Sequence, residues 1–208
     1  MSIETFEDHT AVIVVDIQGD FTECRQGSLA VKDADQSYLD RVDAETRRLN
    51  NLGYPVFATQ DWHPGNHISF FSNHKDAGLF DIVKIKGRTQ VLWPPHCVQN
   101  TSNAEVLLDN TLFDAIVQKG SHPEYDSYSG FFDDGGQPTG LENILRGREI
   151  KKLVIYGLTT DYCARATVLD AVSLGFEVVL IEDLCRGVAK ETTRAAIKEM
   201  AAAGVTVL

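Results

Sequence analysis

The sequence predicts an α/β protein: a three-layer α/β/α arrangement with a doubly wound, six-stranded, mostly parallel sheet. Three observations predict it. Six short apolar runs rich in β-branched residues recur along the chain, longer segments between them carry apolar residues at helical spacing, and glycines stand where those segments stop. At 208 residues and 43% hydrophobic composition, the chain has the size and apolar content for one domain with a sizeable core.

The first run, "AVIVV" at residues 11–15, reads as a buried strand, and "PVFAT" at 55–59 as the next. From Asp61 to Asn110 the alternation breaks into about fifty residues of mixed aromatic, histidine and proline content, expected to be an irregular insertion. Strands resume with "AIVQ" at 115–118, "LVIY" at 153–156, "VVLI" at 178–181 and "VTVL" at 205–208. Ala164, Val168, Ala171 and Val172 share one helical face, as do Thr193, Ile197, Met200 and Ala201, with stops at Gly175 and Gly204.

Charge narrows the partners. Against 30 Asp and Glu there are 19 Lys and Arg, and a net charge of -11 repels nucleic acid and anionic lipid unless a basic patch is concentrated somewhere. The short mixed stretches "EIKKL" and "LRGRE" supply none, so neither nucleic acid nor membrane is expected as a partner. With no signal-like N-terminal pattern and no apolar run near membrane-spanning length, a cytoplasmic or otherwise intracellular location is expected. The four cysteines, at 24, 97, 163 and 185, lack paired spacing and are expected to be reduced.

In an open parallel sheet, ligands bind beyond the carboxyl ends of the strands. Asp16 follows the first strand, Asp61 the second, Lys119 the third, and the fourth leads through "GLTTDYC" to Cys163. Any one of these is ordinary as a cap or loop residue; four on one edge suggest chemistry. The Cys163 thiol is expected near a helix N-terminus, where exposed N–H groups and the dipole favour a thiolate and could hold an oxyanion. Cys24, Cys97 and Cys185 read as packing residues. Asp61 and His63, two apart, could turn toward one ion with His96 as a distant third ligand, an O/N set suited to zinc, manganese or iron(II). A lone D-x-H pair is more often plain packing, and His67 stays open between a fourth ligand and a group behind one. His9, His74 and His122 read as surface residues.

Six motifs taken together are more specific. "VVDIQGDF" at 14–21, "DWHPGNH" at 61–67, "WPPHC" at 93–97, "KG" at 119–120, "YSGF" at 128–131 and "GLTTDYC" at 157–163 resemble the nicotinamidase/pyrazinamidase branch of the isochorismatase-like hydrolases, in the same order over nearly the whole chain. The resemblance implies a catalytic triad of Asp16, Lys119 and Cys163, with Asp61, His63 and His96 as metal ligands in an insertion at about 61–110. It implies one divalent ion, zinc first, with Mn2+ or Fe2+ as alternatives. It further implies that Phe21, Trp93, Tyr128 and Leu158 meet the substrate, that the N–H groups of Thr159 and Cys163 form the oxyanion hole, and that a cis peptide joins Leu158 to Thr159. The implied reaction is hydrolysis of nicotinamide, and of pyrazinamide, through a cysteine thioester, within NAD salvage. Oligomeric state stays open, a homo-oligomer included.

Two other readings are weighed against it. An amidohydrolase acting on a ureido or carbamoyl compound would share Asp16, Lys119 and Cys163 but would not need "DWH" and "WPPH". A receiver-type signalling domain would use Asp61 and Lys119, yet it needs a shorter chain and an acidic pair at the first strand. The segments "SHPEYDS" and "FFDDGGQPTG" depart from the simplest family pattern and are expected at the surface, shaping access to the pocket.

Overall fold

The computed structural model describes residues 8–208. Six strands form one sheet: β1 (Thr10–Val15), β2 (Val56–Asp61), β5 (Ala115–Lys119), β6 (Lys152–Leu158), β7 (Glu177–Arg186) and β8 (Thr206–Val207), in the order β5-β2-β1-β6-β7-β8. Every pairing within it is parallel. The chain steps outward from β1 on one side and from β6 on the other, so the order reverses between these two central strands. That is the switch point where such sheets leave a crevice.

The expected strands are all present, with ends shifted by a few residues; β7 runs on to Arg186, five residues beyond its apolar run. β1 is buried along its whole length, as a strand covered on both faces must be. Four helices connect the strands: α1 (Gln36–Asn51), α2 (Leu141–Gly147), α3 (Arg165–Ser173) and α4 (Lys190–Ala202). Asp35 caps α1 by accepting the Tyr38 N–H at 2.9 Å, and Tyr38, Leu39, Val42, Thr46 and Leu49 form its buried stripe. Thr46 Oγ1 lies 2.9 Å from the Tyr156 hydroxyl, tying α1 to β6. With crossovers of the usual right hand, α1 covers one face and the other helices the opposite one. On α4 the buried residues are Ala196 and Met200, whereas Ala201, expected inward, is exposed.

Two features of the 61–110 region differ from the expectation of irregular chain. It contains an antiparallel hairpin, β3 (Ile82–Ile85) with β4 (Arg88–Val91), and several single-bridge pairings, among them His63 with Val98 and Phe70 with Trp93. Its histidine and proline stretches are thus pinned to each other rather than free.

Gly157 explains how the two central strands close at their carboxyl ends. It pairs with Val15 at φ +129°, and a Cβ there would lie 2.1 Å from the Val15 carbonyl oxygen. Only glycine allows that approach, which brings the residue after β1 and the turn after β6 into one crevice.

Candidate active site

Asp16 follows β1 and is fully buried at φ +48°, a left-handed conformation that Asp tolerates better than most residues. Thr59 of β2 fixes it from both sides: the Asp16 N–H donates to Thr59 Oγ1 at 3.2 Å, and that hydroxyl donates to Asp16 Oδ1 at 2.6 Å. Its other oxygen, Oδ2, carries no hydrogen bond and stands 3.0 Å from Lys119 Nζ.

Lys119 closes β5, in register with Asp61. Its buried ammonium is the hub of the site. It donates to Asp61 Oδ1 and to the Ser127 carbonyl oxygen at 2.8 Å, and it lies 3.4 Å from Cys163 Sγ. Burial works against its charge, but the Asp16 and Asp61 carboxylates outweigh that and lift its pKa well above the ordinary range.

Cys163 sits in a π-helical turn, Thr160–Ala164, between β6 and α3, and it is 6% exposed. The cis peptide joins Leu158 to Thr159 at the start of that turn. Against the expected pull of a helix N-terminus toward thiolate, burial pushes the Cys163 thiol well above its usual pKa, with Lys119 offsetting only part. Burial likewise raises Asp16, again against the pull of Lys119. A carboxylate oxygen of Asp16, one of Asp61 and Cys163 Sγ all lie within 4.8 Å of one another. Burial thus disfavours both the free thiolate and the ionised carboxylate, and it sets the Cys163 thiol beside an Asp16 carboxyl group with an increased appetite for a proton.

Asp61, His63 and His96 converge as a second cluster. His63 Nε2 is 3.4 Å and His96 Nε2 3.9 Å from Asp61 Oδ2, and all three side chains are buried. His63 Nδ1 faces the Gly120 carbonyl oxygen at 2.8 Å, and His96 Nδ1 faces that of Pro94 at 2.8 Å. A carbonyl only accepts, so each Nδ1 carries the hydrogen, and each ring turns its Nε2 toward Asp61, where in the neutral form it offers a lone pair. His63 Nε2 is buried without a hydrogen-bond partner. Burial opposes a charge on His63, yet the Asp61 carboxylate raises its pKa, while burial and His63 lower His96 to about 4. A carboxylate, two converging lone pairs and a preference for one positive charge fit a divalent cation. Gly120 makes room for this: at φ +65°, a Cβ there would lie 2.3 Å from His63 Cε1.

His67 is arranged differently. Its Nδ1 lies 2.7 Å from Ser69 Oγ and its Nε2 3.1 Å from the Tyr125 carbonyl oxygen, so both nitrogens are engaged while the ring packs on His63 with centroids 4.2 Å apart. His67, His63 and Asp126 also have donor atoms within 4.8 Å of one another. His74, expected at the surface, is half-buried and within 2.6 Å of the Ile68 carbonyl oxygen.

A narrow pocket opens onto Cys163 and Asp61. Phe21, Trp93 and Tyr128, expected to meet a substrate, line it with His96 and Thr159, together with Leu29, Asp126, Tyr162 and Val188, which sequence reasoning missed. Trp93 Nε1 donates to the Tyr128 hydroxyl at 2.9 Å, and Tyr162 meets Trp93 edge-on at 5.0 Å. Tyr162 adjoins Cys163 in "GLTTDYC", and that adjacency was the available signal. Leu158 is not among the lining residues: its side chain is fully buried in the hydrophobic core. Nor is "SHPEYDS" merely surface. Gln90 of β4 donates to Asp126 Oδ2 at 2.8 Å, and the next residue, Ser127, supplies the carbonyl that holds Lys119.

A buried thiol, carboxylate and ammonium in contact at the switch point of a doubly wound sheet, beside a cation-ready Asp-His-His cluster, is the build of a cysteine hydrolase. Residues 10–208 match the isochorismatase domain model, and the chain belongs to the isochorismatase family. It is 43% identical over 204 residues to the nicotinamidase of Escherichia coli, covering 94% of this chain and 92% of that one. A nicotinamidase/pyrazinamidase structure from Acinetobacter baumanii superimposes with a TM-score of 0.90 at 36% identity, covering 98% of this chain and 97% of that chain. The pyrazinamidase of Pyrococcus horikoshii in complex with zinc gives a TM-score of 0.80 at 36% identity, covering 96% and 98%.

Proposed function

We propose that this chain is a nicotinamidase, an amidohydrolase that converts nicotinamide to nicotinate and ammonia, and pyrazinamide to pyrazinoate, in pyridine-nucleotide salvage. The observation that carries the reading is the contact of Lys119 with Asp16, Asp61 and Cys163, which joins a nucleophilic centre to a cation-ready cluster at the foot of one aromatic pocket.

Asp16 takes the Cys163 proton as the sulfur attacks the carboxamide carbon; the thiolate character that develops is stabilised by Lys119, 3.4 Å away. The N–H groups of Thr159 and Cys163 hold the oxyanion. Asp16 then returns its proton to the departing ammonia, leaving a thioester. Asp16, again a base, activates the water that releases nicotinate. Phe21, Trp93 and Tyr128 stack on and enclose the flat ring. A divalent ion held by Asp61, His63 and His96, with zinc the first choice and manganese or iron(II) next, would supply a Lewis-acidic anchor for the ring nitrogen. His67 backs His63 through ring packing and leaves the ligand set at three.

The test compares ammonia release from nicotinamide, pyrazinamide and a ureido compound by the purified metal-loaded protein. Turnover of the two heteroaromatic amides at a kcat/KM at least about a hundredfold above that of the ureido compound is expected, because only a ring fills the aromatic pocket. A preference for the ureido compound would contradict the reading.

A further inference from the structure

The net charge of -11 conceals a concentrated basic groove on the far side of the Cys163 turn. It occupies about 600 Å3, within the range of small-molecule sites, between α4, the end of β7 and the segment around Lys32. Five of the chain's 19 Lys and Arg line it, namely Lys32, Arg186, Lys190, Arg194 and Lys198, against Asp33 and Glu182 as the acidic lining among the described residues. Lys32, Lys190, Arg194 and Lys198 are exposed and make no ion pair or side-chain hydrogen bond among the described residues. On α4, Lys190, Arg194 and Lys198 recur every fourth residue and so stand in a row with about 6 Å of helix rise between neighbours. Unpaired cations in a row repel one another, a cost that a ligand bearing several negative charges removes.

The groove also has an apolar floor, to which Cys185, Ile197, Ala201 and Val207 contribute. We propose that it binds a phosphorylated small molecule of the nucleotide class, with a di- or triphosphate along the α4 row and its ring on that floor. Arg and Lys together provide forked and point-charge donors for phosphate oxygens.

The position matters for the enzyme. Val188 lines both this groove and the catalytic pocket. The Val188 and Ala189 N–H groups donate to Asp161 at 3.0 and 3.2 Å, and Asp161 belongs to the turn that carries Cys163. The groove thus adjoins the active site through one wall without sharing its proposed catalytic residues.

Isothermal titration calorimetry of the full-length, metal-loaded protein with ADP, inorganic triphosphate and adenosine tests the proposal, beside the double variant Arg194→Gln/Lys198→Gln and the charge-conserving Lys198→Arg. ADP is expected to bind more tightly than adenosine, with affinity falling as salt rises. The double variant should lose about tenfold or more of that affinity, and Lys198→Arg should keep it. The double variant should also retain wild-type turnover of nicotinamide, which separates loss of the groove from loss of the fold. ADP binding unchanged by the double variant would overturn the proposal, since metal chelation would behave in that way. So would adenosine binding as tightly as ADP. Absence of ADP binding, with self-association weakened by the double variant, would instead assign the groove to a second copy of this acidic chain.

Discussion

Asp16 shows how one residue's surroundings set its chemistry. A carboxylate at a strand end is ordinary, but here burial raises its pKa, Thr59 fixes its orientation, and Lys119 keeps an ionised form tenable. A base must be unprotonated to take the thiol proton. Because the Asp16 pKa lies above the usual carboxylate value, kcat/KM at saturating metal should begin to fall on acidification at a pH above the ordinary Asp range. Asp16→Asn should reduce kcat by on the order of a thousandfold or more while the protein stays folded. A variant retaining more than about a tenth of wild-type kcat would exclude Asp16 as the base. Residue types and spacing made Asp16, Asp61, Lys119 and Cys163 legible in the sequence. The depth of burial around Cys163, which pushes its thiol pKa up, was not, because it arises only when distant segments pack around the turn.

At the scale of elements, the strands were legible because central parallel strands are apolar throughout, as β1 is. The β3–β4 hairpin was not: four-residue strands with alternating exposure leave too short a pattern to stand out from loop. Leu158 differs for a related reason, since its neighbours in "GLTTDYC" line the pocket while its own side chain is fully buried beside it. The basic groove was hidden too. Three residues, nearly all uncharged, separate successive cations from Arg186 to Lys198, so no basic run shows in the sequence, and Lys32 joins only through folding. The meeting of β1 and β6 depends on Gly157, and Gly157→Ala forces a Cβ against the Val15 carbonyl. That substitution should destabilise by about 3 kcal/mol or more. Thermal unfolding should show a fall in Tm of roughly 6–12 °C. An unchanged Tm would mean that the strand ends can part without cost.

Across the whole molecule, the doubly wound order brings together groups that are distant in sequence. Asp16 and Cys163 flank the switch point from β1 and β6, Asp61 and Lys119 face each other from β2 and β5, and the 61–110 region returns His63 and His96 to the same edge. The nucleophilic centre and the cation-ready cluster are joined through Asp61, whose two oxygens face Lys119 on one side and the histidines on the other. Catalysis and cation binding should therefore be separable by mutation yet both required for turnover. The most direct measurement is ammonia release from nicotinamide by the metal-loaded protein, the chelated protein and Cys163→Ala, with metal content determined for each. The account predicts release by the loaded protein alone, recovery of the chelated sample when metal is restored, and no release from Cys163→Ala despite full metal content. Ammonia release from fully loaded Cys163→Ala at a rate near that of the wild type would contradict it.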